Sequence, residues 1–137
     1  MKYPRSPYDK VDGIVYFGRM IDKIRLHAAG ELHPELHANL GKGFDDACCQ
    51  FLHISYDDLR ARVASGGSDE EILEWAFQTG RRPDANDRFV WNEYMRKRGW
   101  NDDFSDLLAR RIAESGFTGR TDIQSFFDYL EADEGKR

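Results

Sequence analysis

All four histidines and both cysteines of this chain lie within residues 26–53, LHAAGELHPELHANLGKGFDDACCQFLH. Imidazole and thiolate readily hold a zinc-like ion or carry nucleophilic chemistry. If a helix starting near Asp45 continues past Leu52, Cys49 and His53 stand four residues apart on one face, a spacing that suits two ligands of one metal. His33 and His37 share that spacing, but Gly30 and Pro34 argue against a continuous helix there. The strong zinc patterns, paired CxxC or HxxxH motifs on a clear scaffold, are absent. No metal or other cofactor is therefore expected, and a metal-binding protein or enzyme built on Cys49 and His53 is the alternative. A nucleophilic thiol would need its pKa lowered by an imidazolium, a cation or a helix N-terminus. His37 or His53 could approach Cys48 or Cys49, yet Asp45 and Asp46 share that helix end and oppose a thiolate. The favoured reading is a pair of buried thiols beside polar loop histidines. No catalytic residue is assigned.

Two arginines could hold an acidic molecule. Arg111 falls among Phe104, Leu107, Leu108 and Ile112 on its helix face, and Arg25 lies at the margin of the first apolar stripe, one turn from Asp22. A guanidinium drawn inward must meet carboxylates or carbonyls, because an unpaired buried charge is very costly. The outcome is either an internal ion pair, with Asp22, Asp45 or Asp46, or a bidentate clamp on an acidic ligand. GKGFD, 41–45, sets Lys42 between two glycines ahead of a helix, but lacks the GK[ST] ending and preceding strand of a phosphate loop. It reads as a glycine turn. RFVWNEYMRKRGW interleaves bases with Trp91, Tyr94 and Trp100, as single-strand binders do. At helical spacing, however, Val90, Trp91, Tyr94 and Met95 form a sector facing the core. Arg96, Lys97 and Arg98 then fall at the helix C-terminus, where cations complement the dipole.

The elements that must position these residues are marked by caps and glycines. In SPYD, Ser6 reads as an N-cap, Pro7 as the first helical residue and Asp9 as a capping-box acid. Ile14, Phe17, Ile21, Ile24 and Ala28 continue as one apolar stripe, and Gly30 ends it. Residues 30–43 lack periodicity and read as a long loop. A short helix follows over about 45–52. Ser55 caps the next, which stops at Gly66–Gly67; Ser68 and Glu71 form a capping box for another, ended by Gly80. A helix after Pro83 ends at Gly99, and one with Phe104, Leu107, Leu108 and Ile112 ends before Gly116. A Thr121–Gln124 box opens the last, and the terminal EGKR is expected to fray. No period-two alternation marks a strand. The fold class predicted is all-α, a compact single-domain bundle of about seven short-to-medium helices spanning 1–137.

The chain has 137 residues, 40% hydrophobic and 33% charged. That length supports one core without disulfide or metal. Two adjacent cysteines cannot make a disulfide framework, and reduced thiols point to the cytoplasm. No signal-peptide or membrane-span pattern is present. The net charge of −5 weighs against a uniform affinity for nucleic acid. Charge is uneven: residues 55–74 hold six acids against two arginines (−4), and 81–98 six bases against three acids (+3). These two segments are expected to attract each other in the fold.

YPRSPYDKV, GSDEEILEWAF, GRRP, MRKRGW and IQSFFDYLEADEG together resemble a family of small bacterial proteins, the domain of unknown function 5069 family. The resemblance covers nearly the whole chain. It implies an intracellular bacterial protein and carries no activity or site residue. The function expected is therefore a binding or interaction module for a small acidic ligand or a protein partner. Arg25, His37, Cys49, His53 and Arg111 are its candidate ligand-binding residues. Neither nucleic acid nor membrane is expected as a partner, and the sequence leaves the oligomeric state open.

Overall fold

An Asp-Gly pair between apolar residues, as in VDGIV, is the strongest short signal for a two-residue hairpin. The computed structural model, which describes residues 1–137, contains that hairpin. Lys10–Val11 (β1) pairs antiparallel with Ile14–Val15 (β2), Lys10 opposite Val15 and Val11 opposite Ile14. Asp12 and Gly13 both take positive φ, 46° and 76°, as the tight primed turns require. This corrects the helix start expected at Ser6. The polar side chains of SPYD cap a turn instead: Ser6 Oγ accepts from the Tyr8 N–H at 3.1 Å and donates to Glu131 at 2.6 Å. Proline suits a turn as well as a first helical position, so the local signal does not separate the two.

The first helix, α1, runs Phe17–Ala28. It is followed by a 3-10 helix, Pro34–Asn39, inside the stretch expected to be a loop. Pro34 presets its first turn, and His33 Nδ1 accepts from the Glu35 N–H at 3.3 Å. Then come α2 (Phe44–Leu52), α3 (Tyr56–Ala64), α4 (Asp69–Thr79), α5 (Ala85–Lys97), α6 (Ser105–Glu114) and α7 (Phe126–Asp133). The protein is mostly helical, with one minimal hairpin, and no helix is long and apolar enough to cross a membrane. Ser55 caps α3, and Ser68 with Glu71 boxes α4, as their spacing predicts. The last helix starts later than expected, capped by Ser125 rather than Thr121. There the Asp128 carboxylate accepts from the Gln124 N–H at 2.9 Å, which holds residue 124 outside the helix.

Helix α1 lies at the centre. Its Phe17, Met20, Ile21 and Ile24 are buried against Leu59 of α3, Ile72 and Leu73 of α4, the cysteines of α2 and Phe127 of α7, in one continuous cluster. Each such side chain contributes about 2 kcal/mol through burial. Helix α5 packs differently from its expected sector. Trp91 and Met95 are buried, but Val90 and Tyr94 are 55% and 50% exposed. The hairpin sets this rotation: Trp91 Nε1 donates to the Val15 carbonyl at 3.1 Å, and Asn92 Nδ2 to the Gly13 carbonyl at 2.8 Å. The two oppositely charged segments meet through only one ion pair, Arg82 with Glu74; the other bases of 81–98 pair close by or with Asp12. The terminal residues do not fray, because Glu134 is buried against Arg19 and Arg137 pairs with Asp128 and Glu131 at 3.0 and 2.8 Å.

One glycine closes the α2–α4 junction for steric reasons alone. At Gly80 a Cβ would stand 1.9 Å from the Leu52 carbonyl oxygen, and that carbonyl also accepts from the Arg81 N–H at 3.0 Å. Gly80→Ala should therefore lower stability by about 3 kcal/mol, the upper range for overpacking, read as a shift in the urea midpoint at unchanged slope.

Candidate functional site

Small side chains on facing helices leave room between them. The outer end of α1 carries Ala28, α3 carries Ala61 and Ala64, and an open groove of about 1190 Å³ lies between the two, closed at one side by the Leu40–Lys42 turn. Ile24 and Val63 contribute to its apolar lining, and Arg25, Lys42 and Arg60 bring cations to it. Arg25 Nη1 is held by Asp69 at 2.6 Å. Arg60 comes no nearer than 3.9 Å to Asp57, and Lys42 is exposed and makes no ion pair. The Tyr56 ring forms part of the wall, seated on Gly41, where a Cβ would come within 2.7 Å of the ring. Gly41 also has φ 75°, so glycine is required there on both counts. Burial, and after it the Asp45 carboxylate, push the Tyr56 hydroxyl well above the ordinary phenol range, so it stays a neutral hydrogen-bonding group.

Asp45 fixes this wall from behind. Its side chain is fully buried and accepts from both flanks. Lys23 Nζ of α1 lies 3.0 Å from each carboxylate oxygen, the Tyr16 hydroxyl donates at 2.6 Å, and the Gly41 N–H donates at 2.9 Å. The turn carrying Lys42 is thereby tied to α1. A second buried pair, Arg19 with Glu134, joins α1 to the end of α7, Arg19 Nη1 donating to Glu134 at 2.8 Å. Arg19 Nε has no partner. Sequence reading missed Arg19, Lys23, Tyr56 and Arg60. Arg19 and Lys23 stand four apart on α1, beside the core stripe, and that spacing was the available signal.

The residues singled out from sequence do not converge. Arg25 lines the groove, with Asp69 and the Gly67 carbonyl as its partners in place of the acids expected. His37 stands just beyond it, its ring 5.0 Å from that of His27, which does line the groove. His37 Nε2 lies 3.0 Å from the Leu32 carbonyl, so that nitrogen carries the proton. Cys49 is buried, its Sγ 4.0 Å from Met20 Sδ. His53 is exposed and ends α2 in a left-handed conformation, φ 59°. It precedes by two residues Ser55, which lines the groove, but is not itself among the lining residues. No three His, Cys, Asp or Glu side chains are grouped so as to hold a metal ion. Arg111 is not drawn inward: its side chain is 46% exposed and pairs with Glu114 at 3.0 Å, because α6 buries only Leu108. Burial, then Asp45 and Asp46, raise the Cys49 thiol to about 12, and burial pushes Cys48 well above the ordinary thiol range.

A compact, mostly helical protein with an open, cation-bearing groove is thus the class in hand. The family model described as a domain of unknown function, DUF5069, matches residues 1–136, and the chain belongs to that family. No curated protein matches it.

Two outcomes follow from this geometry. Asp45→Asn leaves Lys23 a buried cation without counter-charge and should cost about 3–5 kcal/mol; adding Lys23→Met should recover part of that loss, measured by urea unfolding. Neither thiol should react appreciably with iodoacetamide near neutral pH in the folded protein, and both should react promptly in guanidinium, as mass spectrometry would record.

Proposed function

We propose that the groove between α1 and α3 binds a small acidic molecule with an apolar body, and that the protein acts as a binding module. The observation that carries this reading is the arrival of Arg25, Lys42 and Arg60, against the single acid Asp57, at a groove whose lining is otherwise mainly apolar. In a chain of net charge −5, such a local excess of cations favours an anion there. A guanidinium already aligned by Asp69 loses little freedom on meeting a carboxylate. The groove is roomy enough for a small molecule, and a few polar groups on an apolar lining are the usual means of fixing orientation. His37 belongs to this reading as the neighbour that supports His27. We also read the chain as one domain, on its single buried cluster. We place it in the bacterial cytoplasm, where free buried thiols are kept reduced.

Anilinonaphthalene sulfonate, an aromatic anion, is a suitable probe. Its fluorescence should rise with the native protein, and Lys42→Ala with Arg60→Ala should weaken the affinity by roughly tenfold with an unchanged circular dichroism spectrum. The uncharged phenylnaphthylamine should bind both proteins alike. Equal affinity of the sulfonate for both would refute the reading.

A further inference from the structure

The ion pairs around the groove between α1 and α3 fix how much charge it has to offer. Arg25 is balanced by Asp69 at 2.6 Å. Asp69 is shared with Arg5, which Asp9 meets in turn at 3.5 Å. Asp45, behind the wall, is balanced by Lys23. Arg60 stands 3.9 Å from Asp57, the one acid in the lining, and Lys42 makes no ion pair. At about pH 8, where an ordinary imidazole is neutral, the surplus is therefore a single positive charge. The apolar part of the lining is aliphatic: Ile24, Leu40 and Val63 with alanines of both helices, and neither Phe nor Trp. Tyr56 and Arg60 stand one turn apart on one face of α3, and Lys42 adjoins Gly41, on which the Tyr56 ring rests. The free charge and a neutral hydroxyl are thus gathered at one end of the groove. Val63 and Ala64 follow along α3, and Arg25 lies beyond them, since it reaches the Gly67 carbonyl past the end of that helix at 3.3 Å. From Tyr56 to Ala64 the helix rises roughly 12 Å, the reach of an extended chain of about ten carbons.

We propose, resting on the reading of this groove as a site for acids, that its ligand is a monoanion on an unbranched aliphatic chain, a medium-chain carboxylate. The head meets Lys42, Arg60 and the Tyr56 hydroxyl, and the chain lies along Val63 and Ala64 toward Arg25. The single surplus charge decides between head groups. A carboxylate neutralises it, whereas a phosphate monoester, doubly charged at about pH 8, leaves a negative charge uncompensated beside Asp57. The lining decides between bodies. An aromatic body gains from rings to pack against, and Tyr56 is the only benzenoid ring here. An alkyl chain needs only apolar surface, because its burial is non-directional. At the far end the Arg25 stem offers methylenes to the chain terminus while its head stays with Asp69. The groove is open, so one flank of the chain remains in water. Each methylene therefore strengthens binding by less than the roughly fourfold of complete burial.

Displacement of anilinonaphthalene sulfonate from the full chain at about pH 8 tests this, with hexanoate, octanoate and decanoate below their micelle concentrations and with decanol and decyl phosphate for comparison. Affinity should rise about two- to threefold per methylene from hexanoate to decanoate. Decanoate should bind at least about fivefold tighter than decanol or decyl phosphate. Lys42→Ala with Arg60→Ala should remove the preference for decanoate over decanol and leave the gain per methylene in place. Ala64→Leu, at an exposed helical position, fills the far end; it should leave hexanoate unchanged and hold decanoate to the affinity of hexanoate. Affinity independent of chain length, tighter binding of decyl phosphate, or a full chain-length gain in Ala64→Leu would overturn the proposal. Sulfonate that binds through Lys42 and Arg60 but yields to none of the carboxylates would overturn this ligand and leave the acid site standing. Sulfonate indifferent to those two residues would remove both.

Discussion

The carboxylate of Asp45 is the constraint on which most else depends. It has no solvent contact, yet it gathers a lysine from α1, a phenol from the end of the hairpin and a backbone N–H from the turn at Gly41. Removing such a charge from water is costly unless it is paired and its remaining lone pairs are used. Here two donors from α1 and its N-cap and one from the Gly41 turn meet that need together, so the cost of burial becomes a specification of where the turn lies against α1. An apolar residue in the same place would fill the volume but would not orient the turn that carries Lys42.

The groove follows from this arrangement. Its lining is apolar because α1 and α3 meet there through small residues, and its cations stand at their positions because α1 is fixed at Lys23 and Arg25 is fixed by Asp69. The histidines and cysteines that are dense in the sequence are scattered by the fold. His33 stacks on Tyr3 with centroids 4.5 Å apart, His37 meets His27, Cys49 enters the core and His53 ends a helix in solvent. Density along the chain is no guide to proximity when a 3-10 helix, a glycine turn and an α-helix intervene within so few residues.

Helix boundaries were legible wherever a side chain caps its own backbone. Ser55 and Ser68 act as their spacing indicates, because those interactions are local and need no tertiary partner; Gly80 ends α4 as read, but there the requirement for glycine comes from the Leu52 carbonyl of a distant segment. The signal was ambiguous at Ser6 and Thr121, where turn and helix start use the same residue types. Asp12–Gly13 carried a plain hairpin signal that the neighbouring apolar stripe masked, since Ile14 fits both patterns. The rotation of α5 was not legible, as it depends on Trp91 and Asn92 finding carbonyls of the hairpin, distant in sequence. The same holds for the groove. Alanines 28, 61 and 64 are unremarkable singly, and only their juxtaposition makes a site. Arg111 stands between apolar neighbours in sequence, yet α6 packs too lightly to draw it inward.

The contacts between the first and last parts of the chain bear on how the fold is reached. Arg19 with Glu134, Tyr8 with Asp128 and Ser6 with Glu131 span 115, 120 and 125 residues. Small helical proteins ordinarily fold fast because their contacts are near neighbours in sequence. This one closes through some of its longest loops, and the entropy of those loops must be met before the ionic clasp forms. Its folding rate should therefore lie below that of a simple helical bundle of the same length. Its lifetime once folded should depend heavily on how seldom that clasp opens.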